Sequence, residues 1–233
     1  MFHRASDLEC RLPVLAGFTD RTTPVPASPA EGGRVEALRP ALVALGLADA
    51  PVAACHQVHG ARVFRVEGPA WPAGDGDALV STVRGLALVV RMADCVPILV
   101  AGTHGVAAIH AGWRGTAAGV VRAAVEALAE ATGDPPRTFR AAVGPAVGPC
   151  CYPVGAEVVE GVSRVAPREV VLVETGGRPG VDLRAAALHV LASLGVAGHV
   201  AVPACTACDP RFHSWRRDGA AAGRQAALIA LRP

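Results

Sequence analysis

Two apolar runs near the middle of the chain, Val96–Val100 and Val106–Ile109, are bordered by residues that no core requires. The thiol of Cys95 enters the first run and the imidazole of His110 leaves the second. If the runs are neighbouring strands joined at a Gly102–Gly105 turn, Cys95 and His110 lie at adjacent strand ends, where side chains converge. A second imidazole, His59, falls on a His-Gly corner between two candidate strands. Two imidazoles and a thiolate supply three ligands for a tetrahedral Zn²⁺ and leave the fourth position to water or substrate, whereas structural zinc usually fills all four. Three ligands therefore point to catalysis. The wide spacing fits no short motif, so core histidines and a buried thiol are the competing reading.

Other residues carry weaker signals. Cys205-x-x-Cys208 is a lone CxxC, ambiguous between zinc, redox chemistry and neither. Cys150-Cys151, if extended, points its two thiols in opposite directions and makes a poor clamp for one metal. Arg114, Arg216 and Arg217 stand in Gly-rich or polar loops, where a guanidinium can grip phosphate or carboxylate with paired hydrogen bonds. Trp113 and Trp215 adjoin them, a combination suited to a flat ring bearing an anion. HAGWRGT reads as a strand, a glycine-rich turn and a helix start, which presents N–H groups to an anion.

The elements that position these residues follow from periodicity. Strands are predicted over Leu12–Phe18, Val52–Gln57, Arg62–Val66, Ala78–Val83, Gly85–Arg91, Phe139–Val143, Glu169–Val173, His199–Pro203 and Ala226–Leu231, beside the central pair. Helices are predicted over Val35–Leu47, with Pro40 distorting it, and over Thr116–Thr132, Ala156–Val165 and Leu183–Leu194. Gly133 and Pro135 stop the second of these. Thr22–Gly33, Trp71–Asp77, Gly144–Gly155 and Cys205–Gly223 read as loops by their Gly, Pro and polar content. No internal repeat or linker stands out, so residues 1–233 are expected to form one domain.

Composition narrows the class. The 233 residues are 52 % hydrophobic and 18 % charged, which argues against disorder. A net charge of +2 is too small to imply a nucleic-acid or membrane partner. All 22 basic residues are Arg and Asn is absent, a coding bias rather than a ligand signature. Seven cysteines without a secretory leader favour free thiols and metal ligands over a disulfide framework. No apolar stretch approaches a membrane span, and the expected compartment is the cytoplasm.

Taken together, QVHGARV (57–63), ADCVPILV with Asp94 and Cys95, HAGWRG (110–115), VGPAVGPCCYPVG (143–155) and CT…FHSWRRDG…GR (205–224) occur in the order seen in one bacterial family. The chain resembles, from about Val14 to its end, the family named for laccase-domain or multicopper polyphenol oxidase proteins. Its members are described as zinc-dependent purine nucleoside phosphorylases with adenosine deaminase side activity, and one branch as a peptidoglycan editing factor.

The resemblance implies an α/β (α+β) fold of mixed β-sheets sandwiched between helices, similar to a bacterial toxin deamidase domain. It implies one Zn²⁺ on His59, Cys95 and His110, and a monomer acting on small molecules. The implied reaction is cleavage of adenosine, inosine or methylthioadenosine by phosphate, giving free base and ribose 1-phosphate. His59, Cys95, His110 and Asp94 form the candidate catalytic set. Gln57, Arg114, Trp113, Ser214, Arg216 and Arg217 form the candidate substrate and phosphate set. An amidase editing a cell-wall precursor, with Cys95 as nucleophile and His110 as base, is the alternative. Copper oxidation of phenols ranks below both, because eight scattered His with no HxH motif cannot ligate several coppers. The chain departs from the family pattern at Pro153, where Glu is common, and at His213, where an aromatic is common. It also lacks the Asn-containing signature expected around residues 27–33.

Overall fold

The computed structural model describes residues 1–26 and 34–233. The early loop reading and the missing Asn signature fall partly or wholly on 27–33, outside the described residues.

In chain order the strands are β1 (Phe2–Arg4), β2 (Val14–Thr19), β3 (Val52–Ala54), β4 (Val63–Arg65), β5 (Ala78–Ser81), β6 (Ala87–Met92), β7 (Val96–Ala101), β8 (Val106–Ala111), β9 (Arg140–Val143), β10 (Leu172–Thr175), β11 (Arg178–Val181), β12 (Ala197–Val200) and β13 (Gln225–Leu231). The α-helices are α1 (Ser6–Arg11), α2 (Arg39–Leu45), α3 (Trp113–Ala117), α4 (Val120–Thr132), α5 (Ala156–Ser163), α6 (Arg168–Val171), α7 (Leu183–Ser193) and α8 (Trp215–Asp218). A six-stranded mixed sheet has the order β12-β9-β7-β8-β5-β4, and a five-stranded one the order β1-β2-β13-β6-β3. β10 and β11 form a separate hairpin.

Period-2 alternation assigns each sheet two buried faces. On β7, Val96, Ile98 and Val100 pack against α4, α5 and α7, while Leu99 and Ala101 meet the other sheet. On β13, Ala227 and Ile229 join that inter-sheet core, whereas Ala226, Leu228 and Ala230 face α2. The order is therefore helices, sheet, sheet, helix, the mixed α/β sandwich expected.

Several boundaries differ from the periodicity reading. The predicted helix over Val35–Leu47 is a 3₁₀ turn, Val35–Leu38, followed by α2. Pro40 sits in the first turn of α2, where its missing N–H costs nothing, and so starts the helix rather than distorting it. The helix predicted over Thr116–Thr132 is split into α3 and α4 by Gly119 at φ +86°. Glu169–Val173 is not a strand: Arg168–Val171 forms a helical turn and β10 begins only at Leu172. The late strand is Ala197–Val200 rather than His199–Pro203, set by parallel pairing with β9. β3 and β4, read as strands flanking one corner, belong to different sheets.

The central pair is as expected. β7 and β8 are antiparallel with Val96 opposite Ala111 and Pro97 opposite His110, and Gly102 N–H closes the turn on Gly105 O at 2.9 Å. This register places Cys95, one residue before β7, across from Gly112, one residue after β8.

Candidate functional site

Cys95 and His110 emerge at the same end of this hairpin, and the exposed turn between β3 and β4 brings His59 over them. The donor atoms of His59, Cys95 and His110 all lie within 4.8 Å of one another, and the two imidazoles meet edge to face at 5.0 Å between centroids. His59 holds φ +61°, and Asp94, beside Cys95, holds φ +90°. Both are left-handed conformations that the surrounding contacts must impose.

Asp77 is the organising group. It precedes β5, which pairs with β8, so it falls beside His110. Fully buried, its Oδ1 lies 2.8 Å from His110 Nδ1 and accepts the N–H of His59 at 3.0 Å, while Oδ2 accepts the N–H of Gly60 at 2.6 Å. One carboxylate thus fixes the His110 ring and the backbone of the His59 turn together. A carboxylate on the far ring nitrogen is the usual support of a metal-ligating histidine. Burial alone would raise the Asp77 carboxyl, but His110 and the Gly60 and His59 N–H groups outweigh it and hold it below the usual range.

The same electrostatics act on the ligands. Burial pushes the Cys95 thiol up, yet His110 and His59 outweigh this and bring it down to about 6. Burial pushes His110 down, and Cys95 with Asp77 reverses this to about 9. These directions favour a thiolate at Cys95 and a proton on His110.

The donors fit a metal on a further ground. A Cβ built on Gly112 would stand 2.9 Å from His59 Cδ2 and 3.0 Å from Cys95 Sγ. Only glycine leaves this cradle open. With Nδ1 of His110 engaged by Asp77, its Nε2 is the ring nitrogen left for a cation.

The other sequence candidates divide. Asp94 is buried and spends both carboxylate oxygens within the fold, on Thr206 Oγ1 and on the N–H of Arg216, each at 2.6 Å. Gln57 clamps the main chain of Arg91 through both ends of its amide, at 2.7 and 2.9 Å. Ser214 is a buried N-cap of α8, accepting the Arg217 N–H at 3.2 Å. Arg217 donates to the carbonyls of Thr206 and Phe212 and pairs with Asp218, so its guanidinium ties its own loop together. Trp215 is exposed on α8, and Trp113 is half-buried beneath Arg114, whose Cζ lies 4.5 Å from the indole centroid.

Arg216 is placed differently from its neighbour. Its Cζ lies 4.7 Å over the ring of Tyr152, a buried residue that feels the charges of Cys95, Arg216 and Arg114. Burial, then the Cys95 thiolate, pushes the Tyr152 phenol above its usual value. Tyr152 therefore carries Arg216 directly and stands within electrostatic reach of Cys95 and Arg114.

Sequence reasoning missed Asp77, Gly112 and Tyr152 as site residues. Asp77 lies in a loop read only as Gly, Pro and Asp content, and its pairing with His110 needs the β5–β8 register. Tyr152 was visible only as part of the CCYPVG segment.

The cysteines also differ from expectation. Cys150 and Cys151 are not extended: they lie on a 3₁₀ turn, Pro149–Cys151, and their thiols gather with those of Cys205 and Cys208. The CxxC is therefore not alone.

Comparison with known proteins agrees with this architecture. Residues 31–232 match the family model described as multi-copper polyphenol oxidoreductase laccase. A purine nucleoside phosphorylase of Streptomyces coelicolor is 43 % identical over 220 residues, covering 87 % of this chain and 89 % of that protein. The purine nucleoside phosphorylase YfiH of Shigella flexneri is 37 % identical over 202 residues, covering 84 % and 81 %. Among solved structures, YlmD of Geobacillus stearothermophilus superposes with a TM-score of 0.81 at 29 % identity, covering 95 % of this chain and 93 % of that one. The hypothetical protein YfiH of Bacillus licheniformis gives 0.84 at 25 % identity, covering 99 % and 96 %.

Proposed function

The chain belongs to the multi-copper polyphenol oxidoreductase laccase family, and from that premise we propose that it is a zinc-dependent purine nucleoside phosphorylase. The observation that carries this reading is the convergence of His59, Cys95 and His110, with the stacked Tyr152 and Arg216, and Arg114, within electrostatic reach of the Cys95 side. Relatives named purine nucleoside phosphorylase support an enzyme of this type.

Phosphorolysis of a purine nucleoside forms a bond from a phosphate oxygen to the anomeric carbon and breaks the bond from that carbon to the base nitrogen. The bonding pair leaves with the base, which takes up a proton. The reaction thus needs an anion held near the sugar, in a place where its charge is matched before attack. Arg114 and Arg216 supply two such guanidiniums. Arg216 is oriented by its stacking on Tyr152 and by its main-chain bond to Asp94, which also receives the Thr206 hydroxyl. When bound on His59, Cys95 and His110, Zn²⁺ supplies a Lewis acid with one open coordination position. Asp77 keeps the proton of His110 on Nδ1. Trp113 and Trp215 are candidates for packing on the purine, and nucleoside and phosphate are the proposed partners.

The set of two imidazoles and one thiolate also accommodates one copper, but not the several coppers of a polyphenol oxidase. Among the described residues there are two groups of three or more potential ligands, and only this one contains histidine. A second reading has its own observation: Cys95, His110 and Asp77 stand in the order nucleophile, base and orienting carboxylate, the arrangement a thiol amidase would use. Metal occupancy separates the two, because a thiolate engaged by zinc is a poor nucleophile.

The test is metal content of protein purified without added metal, paired with product analysis on adenosine and inosine with and without phosphate. Near-stoichiometric zinc with phosphate-dependent release of base and ribose 1-phosphate supports the phosphorylase. Zinc without nucleoside turnover, or turnover indifferent to phosphate, overturns it.

A further inference from the structure

The four-thiol cluster lies outside this machinery. The Sγ atoms of Cys150, Cys151, Cys205 and Cys208 all fall within 4.8 Å of one another, with Cys151 to Cys208 at 3.2 Å and Cys150 to Cys208 at 3.6 Å. None is in a disulfide. Four sulfurs bound to one Zn²⁺ at ~2.3 Å stand about 3.8 Å apart at tetrahedral angles. The Cys151–Cys208 and Cys150–Cys208 sulfur pairs stand 0.2–0.6 Å inside that value and every pair lies within 4.8 Å, so four-sulfur ligation needs only small shifts.

The backbone around the cluster has the form that such a site requires. The 3₁₀ turn at Pro149–Cys151 delivers two adjacent thiols to one side, and the Cys205–Cys208 turn delivers the other two. Cys205 Sγ accepts the N–H of Gly148 at 3.1 Å. A main-chain donor on the first sulfur of a CxxC turn stabilises negative charge there, as a metal-bound thiolate needs. Gly148 is required by this approach, since a Cβ on it would stand 3.0 Å from Cys205 Cβ and 3.3 Å from two sulfurs.

We propose that Cys150, Cys151, Cys205 and Cys208 form a closed tetrathiolate site for one structural Zn²⁺, distinct from the three-ligand centre. Binding exchanges thiol protons for the cation and involves no redox step. The site joins two segments that meet again at Asp94. Val147 N–H donates to Asp94 O at 2.9 Å from one segment, while Thr206 Oγ1 and Arg216 N–H reach its carboxylate from the other. Tyr152 follows Cys151 directly, and Arg216 stacks on it from the CxxC loop. The tetrathiolate therefore fixes the wall of the neighbouring centre without touching its ligands.

The experiment measures zinc per chain by mass spectrometry, and the absorption of the cobalt-substituted protein, for the full chain purified under reducing conditions. Wild type, Cys95→Ala and the double variant Cys150→Ser/Cys208→Ser are compared. The expected contents are two, one and one, with Cys95→Ala retaining the intense sulfur-to-cobalt charge-transfer bands of four-thiolate ligation. Equal metal in wild type and the double variant overturns the proposal. So does a Cys95→Ala protein without those bands, a result that stands even if the double variant fails to fold. A metal-free pair of disulfides among the four cysteines, seen as a mass loss without reductant, overturns it in favour of a redox pair. None of these readouts depends on nucleoside turnover.

Discussion

Asp77 concentrates at one buried carboxylate the support of two of the three candidate ligands at the centre, and so it is where a conservative change should be felt most. Asp77→Asn removes the charge that orients His110 and the His59 turn. Zinc affinity, measured against a chromophoric chelator, is expected to fall about 10- to 100-fold. Gly112→Ala alters no donor, yet puts a methyl against His59 and Cys95, and the loss is expected to exceed that of Asp77→Asn. His213 gives a pH prediction. Burial, then Arg21, Arg217 and Arg224 against the single opposing Asp218, holds its pKa below 6.5 in the folded chain. Above pH 6.5 both states are neutral at this residue and it contributes nothing. As pH falls below 6.5 the unfolded chain takes up a proton that the folded chain resists, so stability declines until the folded pKa is passed. Urea midpoints for His213→Phe are expected to decline less than wild type between pH 7.5 and 5.5. Cys95 and His110 were legible in the sequence because each borders an apolar run. Asp77 and Tyr152 were not, since what marks them is a partner far along the chain.

At the scale of elements, Gly119 separates α3 from α4 with φ +86° and open space around it. Gly119→Ala therefore meets no neighbour and carries only the left-handed backbone cost, about 1–2 kcal/mol. Chemical denaturation should show that loss with metal content unchanged. The break was hidden in the sequence because the apolar positions of α4 continue the helical period without a gap. The cysteine turn was hidden for a related reason. Adjacent cysteines oppose each other only on an extended chain, and Pro149 instead opens a 3₁₀ turn. Strand existence was legible from alternation, whereas the pairing of β6 with β13 rests on contacts between distant parts of the chain.

Across the whole molecule, the three candidate ligands differ in how firmly the fold holds them. Cys95 and His110 flank a hairpin in the middle of the six-stranded sheet, with β9 on one side and β5 on the other. His59 rides on an exposed turn between strands of two different sheets, held to β6 by the Gln57 amide and to β5 by Asp77. Segments of this kind open locally at far lower free energy than central strands. On the proposed reading the centre therefore has a hinged side, and exchange of an ion held there is expected to follow excursions of the His59 turn rather than unfolding of the sheet. Gln57→Ala removes the clamp and leaves every ligand in place. It is expected to speed zinc release to a chelator while the rate of global unfolding changes little, which would make the lifetime of the ion a property that Gln57 sets independently of global stability.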